Sequence, residues 1–165
     1  MQREFNVLSD TERGYLAGFF DGEATFTVSR RRDGRNRRGV EYVPLVEIRH
    51  TNLAVLEHIK RIIGGGSVCS PPSCQKVGRR QIFVLSLYSP TLRAVLPQIK
   101  NLMVVRKRQA ELVEEAACLK EKNMHLHESR RDQLETNFDR LEHIRLELKK
   151  LNHKRPFNTR FGGKA

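Results

Sequence analysis

The stretch Tyr15-Leu16-Ala17-Gly18-Phe19-Phe20-Asp21-Gly22-Glu23-Ala24 sets glycines inside an apolar helix and carboxylates at its end. The start of that helix is legible. Ser9, with Glu12 three residues on, has the form of a capping box, and the apolar run begins just after it. Gly14, Gly18 and Gly22 recur at i, i+4 and i+8 and so share one face. Each interior glycine costs about 1 kcal/mol against alanine. Repeating that cost along one face, with Ala17 beside it, points to close approach by another backbone. Such small-residue contacts are best known between membrane helices, but this sequence is not membrane-like, so a tight helix–helix contact outside a membrane is expected. Asp21 and Glu23 then stand at a helix C-terminus, whose partial negative charge repels carboxylates unless a positive group offsets it. A divalent cation does so directly, because Mg²⁺ favours a few carboxylates together with waters and phosphate oxygens. If the glycine face meets its own copy across a two-fold axis, two Glu23 side chains converge and one motif builds a paired-metal centre.

Composition narrows the partner. The chain has 165 residues, the size of one domain, and carries 31 Lys and Arg against 19 Asp and Glu, a formal charge of +12. An excess of that sign suits a polyanion. No apolar run approaches the roughly 18–20 residues of a membrane span, and Met1–Asn6 resembles neither a signal peptide nor a transit peptide. Cys69, Cys74 and Cys118 are odd in number and irregular in spacing, which fits a reducing interior rather than a disulfide framework. Cys69-x4-Cys74 with His125-x-His127 lacks the usual spacing of a zinc site.

Downstream, Thr25–Ser29 alternates, with Phe26 and Val28 facing inward and Thr25, Thr27, Ser29 and Arg31 facing away. Six arginines surround Asp33-Gly34, the turn of a long hairpin whose second strand spans about Val40–Arg49. In that strand Tyr42, Val46 and Ile48 take one face and Glu41, Glu47 and Arg49 the other. Leu53–Ile63 is helical and stopped by Gly64-Gly65-Gly66. A second hairpin follows, with strands near Ser67–Ser70 and Arg80–Tyr88. Helices from Pro90 to about Met103, over Arg106–Lys120 and over about Glu128–Leu151 complete the chain. The expected order is α-β-β-α-β-β-α-α-α, with a single domain over 1–152 and a basic tail over 153–165.

Leu16-Ala17-Gly18-Phe19-Phe20-Asp21-Gly22-Glu23-Ala24 resembles the LAGLIDADG motif of homing endonucleases, in the single-motif, homodimeric branch. The resemblance implies an α+β fold: an αββαββα core with a curved antiparallel β-sheet saddle plus C-terminal helices. It extends at element level over about Leu8–Leu119, with a weaker echo in Arg106–Leu112. The family's metal-binding acid falls on Glu23, and Gly22 matches the residue whose carbonyl often joins the metal shell. Asp21 matches a position used mainly for structure, near the partner's helix terminus. Gly14, Ala17, Gly18 and Asp21 are thus expected at a dimer interface. The sequence departs from the usual pattern at two points. Glu replaces the commoner Asp at 23, and Ala24 replaces the last glycine, so the backbone at Ala24 must avoid positive φ.

The resemblance further implies a Mg²⁺-dependent endonuclease, with Mn²⁺ or Ca²⁺ able to occupy the site. Such an enzyme would make a staggered double-strand break in a long pseudo-palindromic DNA site and promote intron mobility. The family's catalytic helpers align on His50 and Arg106, with Lys100, Arg49 and Lys107 as rivals. Thr27, Ser29, Arg31, Glu47, Arg49 and Arg80 suit groove readout. Arg35, Arg37, Arg38 and the tail cations suit phosphates. The partners expected are double-stranded DNA and a second copy of the chain, with no membrane. An intron RNA maturase, which would bind RNA, and a non-catalytic DNA-binding regulator share this basic surface, and the presence of Glu23 favours the nuclease. A coiled-coil adaptor fits the β-rich first two thirds poorly.

Overall fold

A computed structural model describes residues 5–34, 39–71, 80–125 and 130–153. Arg35, Arg37, Arg38, Cys74, His127 and the tail over 154–165 lie outside the described residues. The elements run α1 (Asp10–Glu23), β1 (Ala24–Arg32), β2 (Val40–His50), α2 (Leu53–Ile63), β3 (Ser67–Cys69), β4 (Phe83–Tyr88), α3 (Ser89–Ile99), α4 (Lys107–His125) and α5 (Arg131–His153), with a short 3₁₀ turn at Lys100–Leu102. This is the expected order.

α1 begins where its capping box places it. Ser9 Oγ accepts from the Glu12 N–H, and Glu12 Oε2 accepts from the Ser9 N–H at 2.8 Å. At the other end Ala24 leaves the helix extended, with φ −78° and ψ 142°, so the residue replacing the usual glycine needs no left-handed backbone. α2 is stopped by Gly64, whose φ of +74° is the left-handed conformation that glycine adopts without strain.

The four strands form one antiparallel sheet in the order β1-β2-β4-β3. β1 pairs with β2 along its whole length, from Ala24↔Ile48 to Arg32↔Val40. β4 pairs with β2 only from Leu45 onward. Pro44 therefore sits where β2 has one open flank, which suits a residue lacking an N–H. β4 is shorter than the sequence suggests. Its pairing with β2 ends at Phe83↔His50 and with the three-residue β3 at Val84↔Cys69, which leaves Arg80 exposed and outside the strand.

Phe26, Val28, Tyr42, Val46, Ile48, Leu85 and Leu87 turn to the helices and join one cluster with α1 to α5. α4 contributes Leu112, Val113, Ala116 and Ala117, and α5 contributes Leu141, Ile144 and Leu148. α5 is thus the core-covering helix the sequence implied, and its Asn152 side chain donates to the Phe26 carbonyl of β1 at 2.9 Å. That bond occupies one carbonyl of an edge strand that would otherwise be open to pairing.

Candidate functional site

The end of α1 is the organising point. The Asp21 carboxylate gathers three successive backbone N–H groups leading into α4: Val104 at 2.6 Å and Val105 at 3.2 Å on Oδ2, and Arg106 at 2.9 Å on Oδ1. Arg106 replies, its Nε donating to the Asp21 carbonyl at 2.9 Å. An anion thus anchors the entry to one helix while a cation satisfies the C-terminal carbonyl of the other, the sense each helix end favours. This reciprocal clamp spans 85 positions of sequence. Asp21, expected near a partner's helix terminus, is engaged within its own chain.

Glu23 is the contrast. It is exposed, and no hydrogen bond or ion pair engages its carboxylate among the described residues. Two acids two residues apart have opposite situations, and only Glu23 is free to bind something else. No cluster of three or more His, Cys, Asp or Glu that could hold a metal occurs among the described residues. The described residues of one chain thus offer a fragment of a metal shell: the Glu23 carboxylate with the Gly22 carbonyl of the preceding residue. That donor set fits Mg²⁺, which takes one or two carboxylates and fills its remaining positions with water and phosphate oxygens.

His50 ends β2, two residues past Ile48, the partner of Ala24. Its ring lies 6.2 Å from that of Phe19 in the last turns of α1, which brings it to the same end of that helix as Glu23 and Arg106. The Asn52 N–H donates to His50 Nδ1 at 3.0 Å, closer than the Asn52 carbonyl at 3.3 Å. Nδ1 is then the acceptor and Nε2–H the outward donor. Asn52 also caps α2, its Oδ1 accepting from the Ala54 N–H. A polar residue just before an apolar helical run is the usual sign of an N-cap, yet Asn52 was missed as the residue that fixes His50. Among the rivals, Lys100 is held by Glu114 at 2.9 Å, Arg49 by Glu47 at 3.3 Å, and Lys107 is exposed at the start of α4.

The glycine face is open. Gly14, Gly18 and Gly22 are exposed, and a Cβ added at any of them would meet no heavy atom within 4 Å. Ala17 does not share that face. It is 2% exposed and packs in the chain's own core with Leu16 and Phe20, because i, i+1 and i+4 fall on the opposite stripe of the helix. Near the bare end of α1 lie Leu102, Val104 and Val105, which are 53%, 86% and 74% exposed.

The sheet face turned from the helices carries Thr25, Thr27, Ser29, Arg31, Glu47 and Arg49 as expected, and also Val43, Leu45 and Val84, which are almost fully covered. Charge is sorted between the layers. Acids of the helical layer are matched in Lys100–Glu114, Arg140–Glu115, Arg93–Glu121, Arg108–Glu147 and Arg145–Glu142. The Glu115 carboxyl is held below the ordinary range chiefly by the Arg140 guanidinium. Glu41, at the margin of the outward face, is taken by Lys120. A cavity of about 330 Å³ between the hairpin and the α4–α5 pair, lined by Tyr42, Phe138 and Leu141 among others, contains none of the candidate residues.

A model of LAGLIDADG endonucleases matches residues 16–114, from the glycine-bearing helix to the middle of α4. The chain belongs to the LAGLIDADG endonuclease family. A search of curated proteins finds no significant match. Among solved structures the chain is similar to the archaeal intron-encoded homing endonuclease I-Vdi141I complexed with DNA. Identity is 28% over 88% of this chain and 87% of that one, with a TM-score of 0.71. It shares the fold of the homing endonuclease I-CvuI bound to the I-CreI target, at 13% identity, 88% and 85% coverage and a TM-score of 0.71. The same fold appears in the group I intron-encoded endonuclease I-CeuI complexed with DNA, at 17% identity, 79% and 64% coverage and a TM-score of 0.59. The LAGLIDADG helix is thus α1, and the saddle is the four-stranded sheet. No helix among the described residues is long and apolar enough to cross a membrane.

Proposed function

We propose that this LAGLIDADG endonuclease acts as a homodimer that makes a staggered double-strand break in a long pseudo-palindromic DNA site, promoting the mobility of an intron. The observation that carries this reading is the free Glu23 carboxylate beside the Asp21–Arg106 clamp, at the end of a helix whose glycine face is bare. A two-fold axis through Gly14, Gly18 and Gly22 covers that face and brings the two Glu23 side chains together. Two-fold symmetry in the protein implies near-symmetry in the site. Each half-saddle, with strands of 9 and 11 residues, reaches about 30–36 Å at 3.3 Å per residue, roughly one turn of duplex.

Glu23, with the Gly22 carbonyl, would hold Mg²⁺. When bound, the ion supplies Lewis-acid stabilisation of charge on the scissile phosphate and promotes attack by water. Solved relatives with the same fold include I-CvuI complexes studied in the presence of Mg and of Ca. Arg106 sets a permanent cation against the phosphate, oriented through its Nε bond to the Asp21 carbonyl. His50, with Nδ1 occupied by the Asn52 N–H, presents Nε2–H to orient a water or a phosphate oxygen. Arg31 and Arg80 suit contacts in the groove, while Arg35, Arg37 and Arg38 of the hairpin tip supply affinity through phosphates.

The test is cleavage of a DNA pool containing the uninterrupted insertion site, with Mg²⁺ or EDTA, by wild type and by Glu23→Gln. Metal-dependent, site-specific double-strand cuts that disappear in the variant are expected. Tight binding without cuts by wild type would instead identify a DNA-binding regulator.

A further inference from the structure

The register of the sheet sorts its outward side chains into rows that cross strands. One row runs Thr25–Glu47–Ser86–Ser67, set by the pairs Thr25↔Glu47, Glu47↔Ser86 and Ser86↔Ser67. The next, two residues further along β2, runs Thr27–Leu45–Tyr88 and carries no charge. Glu47 is the anomaly. It places a carboxylate on the outward face of a chain with a net charge of +12, where a polyanion is expected to lie. It is neither buried nor spent on structure. Its only ion-pair partner among the described residues is Arg49, two positions along the same strand face, at 3.3 Å. Its side chain is 28% exposed and that of Arg49 is 61% exposed. A carboxylate so placed repels phosphates, accepts hydrogen bonds, and donates none. In the major groove the bases that answer an acceptor are those with an exocyclic amino group, and a carboxylate pairs with cytosine N4.

We propose that the Glu47 row is a base-selecting element close to the cut, one row outward of Arg49, and requires a cytosine in each half-site, with the Leu45–Tyr88 row reading a thymine methyl about two base pairs further out. This rests on the endonuclease reading above. The inner placement follows from register, since Glu47 pairs with Thr25, two residues from Glu23. The spacing follows from geometry. Two residues along a strand span about 6.6 Å, close to two base steps at about 3.4 Å each. Arg49 holds the carboxylate and adds a second, donor-only reader on the same face, suited to guanine. In the outer row Tyr88 is exposed and Leu45 is almost covered, so Tyr88 and the Thr27 methyl are the atoms that meet the groove.

The experiment is selection of bound duplexes from a randomised DNA pool by wild type, Glu47→Gln and Tyr88→Ser, followed by sequencing. In wild type, each half-site should show a cytosine position with a thymine position about two pairs outward. Glu47→Gln should move the inner preference from cytosine toward adenine by roughly tenfold or more, because an amide pairs with adenine N6 and N7. Tyr88→Ser should relax the outer position alone. Replacing that thymine by deoxyuridine should weaken wild type and leave Tyr88→Ser unchanged. If Glu47→Gln changes affinity equally for all sequences and shifts no position, Glu47 is an electrostatic bystander and the proposal is wrong, while the endonuclease reading stands. If wild type selects no sequence at all, both are overturned.

Discussion

Asp21 and Glu23 are two residues apart, carry the same charge, and should respond to substitution in opposite ways. Asp21 accepts from the N–H groups of Val104, Val105 and Arg106, whereas Glu23 accepts from nothing among the described residues. The cost of Asp21→Ala can be worked from those partners. Val104 and Val105 are exposed, so their N–H groups are rehydrated once the carboxylate is gone. The bond to the partly buried Arg106 N–H is the one poorly replaced by water. The loss is therefore that of about one charge-assisted bond rather than three, about 1.5–3 kcal/mol. For a chain of this size, 2 kcal/mol lowers Tm by about 4–8 °C. Glu23→Gln removes no partner and should leave stability within about 0.5 kcal/mol of wild type. The assay is urea unfolding at fixed protein concentration, since the proposed dimerisation would couple stability to concentration, run beside DNA cleavage. Asp21→Ala should lose stability and, by loosening Arg106, part of its activity; Glu23→Gln should lose cleavage alone. Equal destabilisation by the two variants, or an Asp21→Ala protein as stable as wild type, would refute the assignment of one acid to the scaffold and the other to chemistry.

Other consequences follow from neighbouring features. The Glu142 carboxyl is depressed from 4.5 to about 2, first by the Arg145 guanidinium and then by the Tyr42 hydroxyl, which ties α5 to β2. Its contribution is complete above the unfolded value and is lost as pH falls from about 4.5 through about 2. Acid titration of stability should therefore show a limb in that window that Glu142→Gln flattens; an unchanged limb would count against the network. A Cβ added at Gly18 meets no heavy atom within 4 Å, so in Gly18→Leu the helix should form normally. Overpacking at the proposed interface, about 1–3 kcal/mol per copy, should shift sedimentation toward monomer, and an unaltered dimer would exclude this face as the contact. Arg31 is exposed on β1, and no acid among the described residues pairs with it. Arg31→Ala should cost about 1–3 kcal/mol and relax the preference at the base pair Arg31 reads, measured by selection from a randomised duplex pool, and a uniform loss across all sequences would count against groove readout.

What could be read in the sequence was local in cause. The capping box, the Gly64 stop and the alternation of Phe26, Val28, Tyr42, Val46 and Ile48 each depend on a few neighbouring residues, and each stands in the fold where the pattern placed it. The errors arose where distant segments decide the outcome. Arg80–Tyr88 has β character throughout, but the strand is only as long as its partners allow, and the three-residue β3 together with the end of β2 stops pairing at Phe83. Ala17 looks like another small residue of the glycine face until its stripe is shared with Leu16 and Phe20, which are both fully buried. The engagement of Asp21 with Val104–Arg106 lies more than 80 positions away and leaves no periodic trace. Asn52 was the avoidable omission, because its position ahead of Leu53–Ile63 is a recognisable helix cap.

The distribution of acids explains why one surface can be both folded and basic. A chain with 19 acids and 31 bases could scatter them and weaken its field everywhere. Here Glu114, Glu115, Glu121, Glu142 and Glu147 are matched with Lys100, Arg140, Arg93, Arg145 and Arg108 within the helical layer. Pairs of this kind, each partly exposed, contribute about 1 kcal/mol or less to stability, so their larger effect is on where charge remains. Among the described residues the outward sheet face keeps Arg31 without an acidic partner and carries Glu47 paired with Arg49. On the proposed reading, a duplex drawn to that face would meet long-range attraction first and selective contacts only within the groove. Glu23, with no partner among the described residues, immediately precedes β1 at the end of the same sheet. On that reading, binding and chemistry share one electrostatic design, and a substitution that moved an acid from α4 to the sheet would weaken DNA binding even with every fold-determining residue intact.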